Sequence, residues 1–189
     1  MFRYLIVLPF LFPPLYLLYI IGVYFFAKVP YISTSRESIN EVLKNINIKS
    51  TDIVYELGCG KAQFLFEVDK KYHPNKLVGI EISPLHILYA KVKAKILKKS
   101  NMYFYCKDFF EIDISEADII YLYLVPKIIN KIWEKIKKEA KPSCQIITLS
   151  DKIENARCIK KFKTTPTQKQ NVFFMSMKFD GQSYSLTKI

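Results

Sequence analysis

The stretch Val54-Tyr55-Glu56-Leu57-Gly58-Cys59-Gly60-Lys61-Ala62, followed by Val78-Gly79-Ile80-Glu81, decides the fold of this 189-residue chain. It reads as a strand, a glycine turn, a helix and a second strand that ends in an acid. Glycine has no Cβ, so Gly58 and Gly60 can form a tight turn and let a ligand approach the backbone closely. Glu81 lies 23 residues after Gly58, which matches the roughly 20-residue interval between a glycine loop and a ribose-binding carboxylate on the next strand. A dinucleotide loop would read G-x-G-x-x-G. Here an acid, Glu56, precedes the first glycine by two residues, and nothing after the second glycine suits a pyrophosphate.

Outward from this core the elements alternate. Thr34-Ser35-Arg36-Glu37 is a capping-box pattern that predicts a helix to about Asn45, with Ile39, Val42, Leu43 and Ile46 on one face. Thr51 to Leu57 is the first strand, Ala62 to about Tyr72 a crossover helix, His73-Pro74-Asn75 a turn, and Leu77 to Ile82 the second strand. Ser83-Pro84 supplies an N-cap and a first-turn proline. The helix from 84 to about 99 is expected to turn Leu85, Leu88, Val92 and Ile96 to the sheet. Its lysines, Lys91, Lys93, Lys95, Lys98 and Lys99, form a solvated face or a membrane or substrate contact. Met102 to Lys107, Asp118 to Leu124 and Cys144 to Ser150 read as strands, with a helix from Pro126 to Ala140. Arg157 to Thr164 and Asn171 to Lys178 form a terminal strand pair. Strands alternating with helices predict an α/β, doubly wound, mostly parallel seven-stranded sheet.

Composition narrows the partners. Net charge is +12, and 26 of the 29 basic residues are Lys, the others being Arg3, Arg36 and Arg157. Lysine is a hydrated point charge without the planar fork that reads phosphates and guanine edges, so the balance favours diffuse attraction to an anionic membrane over dedicated nucleic-acid recognition. Cys59, Cys106, Cys144 and Cys158 show no zinc spacing, and only His73 and His86 could join them, so no metal site is expected. Cys59 reads as a small residue tolerated between two glycines rather than a nucleophile.

The first 28 residues are a separate material. Tyr4 to Ala27 is a run of 24 residues without a charge, more than the roughly 20 needed to span a bilayer as a helix. It ends in bulky Val23-Tyr24-Phe25-Phe26 rather than a cleavage site, which favours a retained anchor over a signal peptide. Pro9, Pro13 and Pro14 allow either a kinked span or an interfacial helix. The expected organisation is an anchor at 1–28, an α/β domain at 29–180 and a tail at 181–189. The protein is expected at the membrane as a single-pass chain with its domain in the cytoplasm. Oligomeric state is not readable.

The E-x-G-x-G pattern of Glu56, Gly58 and Gly60, with Glu81 after the second strand and Asp108-Phe109 after the third, resembles the class I S-adenosylmethionine-dependent methyltransferases. Val29-Pro30-Tyr31-Ile32-Ser33, Asp118-Ile119-Ile120-Tyr121-Leu122-Tyr123-Leu124-Val125-Pro126 and the apolar N-terminus resemble one group within it. These are the membrane-anchored mitochondrial protein-lysine methyltransferases of the adenine nucleotide translocase and the ATP synthase c subunit, with their prokaryotic relatives. The resemblance covers about residues 28–155. It implies a Rossmann-like sheet and S-adenosyl-L-methionine as cofactor, held by Glu56, Gly58, Cys59, Gly60, Glu81, Ile82, Asp108 and Phe109. Glu56 would take the methionine end, Glu81 both ribose hydroxyls and Asp108 the adenine amino group, with Phe109 on the ring. For Asp108 the alternative is a turn-capping role.

The family usually has an aspartate where Glu56 stands and a glycine where Ala62 stands. Tyr31 and Tyr123 are candidates for a lysine channel or for aromatic core. No residue is assigned as a catalytic base. An Asp/Asn-Pro-Pro-Tyr motif is lacking, and Tyr123-Leu124-Val125-Pro126 occupies its place. The implied function is methylation of a lysine in a membrane or membrane-associated protein. A lipid or apolar small-molecule acceptor, or a non-catalytic membrane tether of the same fold, are the alternatives.

Overall fold

The computed structural model describes residues 13–18, 21–22, 34–149, 157–163 and 171–176. The chain divides into two compact units, Met1–Ile32 and Ser33–Ile189. In the first unit residues 13–18 and 21–22 are helical. The expected membrane-spanning helix falls mostly outside the described residues, and among those described no helix is long and apolar enough to cross a membrane. Tyr31, the link 164–170 and the tail 181–189 also lie outside them.

The second unit runs α1 (Arg36–Lys44), β1 (Ile53–Leu57), α2 (Gln63–Tyr72), β2 (Lys76–Glu81), α3 (Pro84–Ile96), β3 (Met102–Cys106), a 3-10 turn (Phe109–Glu111), β4 (Ile119–Leu122), α4 (Pro126–Glu139), β5 (Gln145–Leu149), β6 (Arg157–Lys163) and β7 (Asn171–Ser176). The sheet order is β3-β2-β1-β4-β5-β7-β6. Strands β1 to β5 pair in parallel, and β7 joins β5 and β6 antiparallel. The chain therefore winds outward from β1 through β2 to β3, then crosses back to β4 on the other side of β1. The carboxyl ends of β1 and β4 form the topological switch point, where ligands bind in open sheets of this kind.

A buried layer covers each sheet face. On one, Val54, Leu77, Ile119, Tyr121 and Ile147 meet α1 through Ile39, Val42 and Leu43, α2 through Phe64, Leu65 and Val68, and α3 through Ile87, Ala90 and Ala94. On the other, Leu57, Val78, Ile80, Ile120 and Leu122 meet α4 through Ile129, Ile132, Trp133 and Ile136. Burial on both faces explains why the central strands are nearly continuous apolar runs rather than alternating ones.

Helix α1 starts within the capping pattern, with Ser35 as its N-cap: the Ser35 hydroxyl accepts from Ser38 N at 3.1 Å. One expectation is corrected. Leu85, Leu88, Val92 and Ile96 do not face the sheet. All are exposed, Leu88 at 56% and Ile96 at 73%, and α3 instead buries His86, Ile87, Ala90 and Ala94. The helix is apolar on both sides, and the small alanines let it sit close to β2 and β3, so packing selects the less bulky face.

Candidate active site

Beyond β1 the chain turns through Gly58 at φ 77° and Gly60 at φ 50°, and Ala62 enters α2 in the left-handed region at φ 56°. Such angles favour glycine, so Ala62 carries backbone strain where a glycine would carry none. The turn is fastened to the end of β2. Gly58 N and Cys59 N both donate to Ile80 O, at 2.8 and 3.0 Å, and Gly60 N donates to Glu81 Oε2 at 2.9 Å. A Cβ on Gly58 would come within 2.9 Å of Leu124 Cδ2, so the turn also packs against the end of β4.

Glu81 is braced from two sides. Its Oε2 accepts from Gly60 N and its Oε1 from Ser83 N, each at 2.9 Å. A carboxylate has about four acceptor positions, so each oxygen can take one further donor while the backbone holds the group still. A vicinal diol matches that pair of vacant lone pairs. Ser83 is also the N-cap of α3, so the first turn of that helix and the carboxylate are positioned together.

Glu56 lies beneath the turn. In the sheet it stands beside Gly79 on β2 and Tyr121 on β4, and it is almost fully buried. Its Oε2 has no hydrogen-bond partner among the described residues. Burial pushes its pKa well above the usual carboxylate range and the Glu81 charge pushes the same way, while the Leu65 backbone amide opposes them. A buried, unmatched carboxyl of this kind suits a cationic ligand group, whose arrival would supply the missing partner.

Gly79 matters for a reason its sequence context hides. A Cβ there would lie 2.8 Å from both Cys59 Sγ and Phe104 Cδ1. The Cys59 thiol therefore folds back over β2, buried, and burial together with the Glu56 and Glu81 charges raises its pKa. That makes it a packing group and not a nucleophile.

Asp108 follows β3, and its Oδ1 accepts from Phe110 N at 2.9 Å, capping the 3-10 turn. The capping alternative is thus realised, and Oδ2 has no hydrogen bond to a described residue. Phe109 is half-buried and Ile82 exposed at 43%. The structure places Glu56, Gly58, Cys59, Gly60 and Glu81 together at the switch point through the contacts given above. Tyr123 is half-buried against the α1–α3 core layer.

Sequence reasoning passed over Tyr121. It is fully buried and stacks on Phe64 with ring centroids 3.9 Å apart. Its hydroxyl has no hydrogen-bond partner among the described residues, and burial, together with the neighbouring Glu56 carboxyl, raises its pKa. The available signal was a single polar tip in the otherwise aliphatic run Ile119-Ile120-Tyr121-Leu122.

A family model described as the ANTKMT methyltransferase domain matches residues 56–160, which span the glycine turn, both carboxylates and β4. The chain belongs to this family. As a member, the protein is an S-adenosylmethionine-dependent methyltransferase. It is 30% identical over 129 residues to a protein-lysine N-methyltransferase of Saccharolobus islandicus (strain REY15A), the match covering 64% of this chain and 75% of that protein. A shorter match, 35% over 78 residues, is to an rRNA adenine N-6-methyltransferase of Limosilactobacillus reuteri, covering 41% of this chain and 30% of that one.

Among solved structures, an RNA methyltransferase from Salinibacter ruber in complex with S-adenosyl-L-homocysteine aligns at TM-score 0.73 and 22% identity, over 83% of this chain and all of that one. A SAM-dependent methyltransferase from Aquifex aeolicus aligns at 0.62 and 17%, over 77% and 94%. At these identities the two structures establish the shared fold. The residues of this methyltransferase also fit its cofactor on their own terms: an orphaned buried carboxyl oxygen on Glu56 for a cation, and a braced carboxylate on Glu81 for a diol.

Proposed function

We propose that this methyltransferase modifies lysine side chains of a membrane or membrane-associated protein. The observation that carries the reading is its 30% identity to a protein-lysine N-methyltransferase, of which it covers three quarters. The uncharged run from Tyr4 to Ala27 supports placement at a membrane, with the catalytic domain on the side where S-adenosylmethionine is made.

In this reading Glu56 receives the ammonium of the cofactor's methionine end and Glu81 the two ribose hydroxyls. Gly58, Cys59 and Gly60 line the turn over them. Ile82 and Phe109 flank the adenine, and the second oxygen of Asp108 takes its amino group. Tyr123 borders the approach of the lysine. When bound, S-adenosylmethionine supplies an electrophilic methyl group on a sulfonium. The protein then has to align a deprotonated amine with that methyl and keep water out, for which no strong base is obligatory.

The test is methyl transfer from labelled S-adenosylmethionine to a membrane fraction, followed by hydrolysis and separation of the amino acids. Label in methylated lysine supports the proposal. Label confined to the lipid extract would replace it with a lipid or apolar small-molecule acceptor, and label in nucleic acid would also overturn it. No transfer, with no cofactor binding by the folded protein, would leave the non-catalytic tether.

A further inference from the structure

The outward face of α3 has no place in the chemistry above, yet it is the least expected surface of the molecule. Leu85, Leu88, Tyr89, Val92 and Ile96 are all exposed, and at about 100° per residue they fall within a single arc of about 100°. Lysines border this ridge on both sides at that pitch, Lys91 and Lys95 along one flank and Lys93 along the other, with Lys98 and Lys99 beyond its end. From residue 84 to 99 there are five lysines and no acid. Lys99 pairs with Asp69 and Lys93 lies over the Phe66 ring. Among the described residues no carboxylate pairs with Lys91, Lys95 or Lys98. On the Lys91–Lys95 flank, Lys91, Lys95 and Lys99 join Tyr103 and Tyr105 of the free edge strand β3 around an open groove of about 360 Å³.

The geometry points to α3 as a docking helix that lies on an anionic bilayer, with its apolar ridge in the headgroup–acyl boundary and its lysines reaching to lipid phosphates. A convex aliphatic ridge bordered by cations is the form of an interfacial helix, in which lysine stems lie along the apolar layer while their ammonium groups stay wet. Lysines, each a point charge, meet a diffuse layer of lipid phosphates without needing bidentate geometry. Tyrosines 89, 103 and 105 add side chains with an apolar body and a polar tip, which suit the same depth. The docking helix begins at Ser83, whose N–H holds Glu81, so contact with lipid would set the end of the cofactor site close to the membrane surface. The inference does not depend on lysine being the methyl acceptor.

The experiment uses the full chain carrying Val92→Trp, mixed with vesicles containing about 30% phosphatidylserine. The native Trp133 is buried in the opposite core layer and supplies a constant background. The expected result is a blue shift and quenching by brominated acyl chains. A further Lys91→Glu, Lys95→Glu, Lys98→Glu change is expected to abolish the quenching, since losing three lysines weakens the helix–bilayer contact by about 100-fold, with cofactor affinity unchanged. A full chain that binds vesicles while the tryptophan at 92 stays unquenched would overturn the inference and leave the ridge to a protein partner. Equal quenching on wholly zwitterionic vesicles would overturn the assignment to an anionic surface.

Discussion

Replacing Glu81 by alanine removes one side chain and unfastens three things. In the free protein the carboxylate accepts from Gly60 N and Ser83 N, each at 2.9 Å. Hydrogen bonds to a charged acceptor contribute about 1.5–3 kcal/mol each. Glu81 is half-buried, and water can take over part of both donors, so the cost to folding is expected at about 1–3 kcal/mol. In the complex the same carboxylate would also lose two ribose hydroxyls. At the lower end of the same scale that is about 3 kcal/mol, or roughly 100-fold in affinity. Loosening of the Gly60 turn adds to the loss. Glu81→Gln keeps one acceptor but turns an NH2 toward one of the two backbone donors, and is expected to fall between wild type and alanine. The assay is isothermal titration of the folded full chain with S-adenosylhomocysteine, with far-UV circular dichroism as the control for folding. An alanine variant that folds and binds within about threefold of wild type would refute the ribose assignment and the bracing argument with it.

Glu56→Gln is expected to trade stability against affinity. The fold raises the Glu56 pKa above its unfolded value, so the native state holds the proton more tightly than the unfolded state. Wild-type stability is then full below the unfolded pKa and declines as pH rises towards the folded one. Denaturant titrations across pH should show a flatter profile for the glutamine variant and higher stability above neutrality, together with weaker cofactor binding. A glutamine variant less stable at every pH would contradict this. Gly79→Ala drives a methyl to 2.8 Å from Cys59 Sγ and the Phe104 ring and is expected to cost about 1–3 kcal/mol, read as a lower urea midpoint; an unchanged midpoint would mean that the β2 surface is looser than described. Asp69→Ala removes a buried carboxylate held by Lys99 Nζ at 2.7 Å and Asn101 Nδ2 at 2.7 Å. It is expected to destabilise by about 3 kcal/mol, and a loss below about 1 kcal/mol in the same measurement would show that the pair behaves as a surface ion pair.

Much of the site was legible because it is built from local rules. A glycine turn needs positive φ at fixed positions, and the next strand follows one crossover helix later, so the place of Gly58 and Gly60 in the turn and of Glu81 at the tip of β2 is fixed by spacing along the chain. The helix starts at Ser83-Pro84 and Pro126 were readable for the same reason, since an N-cap and a first-turn proline act on the backbone beside them. Asp108 was left between two roles, and the capping bond to Phe110 N became visible only once the 3-10 turn was formed.

What the sequence by itself determined is the order of elements, the glycine turn and the acids that surround it. The tertiary structure alone decided which face of α3 is buried, because periodicity locates a stripe but cannot choose between two apolar ones. Ala90 and Ala94 permit close approach to the sheet, and the larger Leu88, Val92 and Ile96 are left outside. It alone set Tyr121 beside Glu56 and Cys59 against Gly79, since β1, β2 and β4 become neighbours only through crossovers that carry no local mark in the chain. Contacts between residues distant in sequence depend on how volumes fill a shared interior, and that is settled when the whole sheet packs rather than by any one segment.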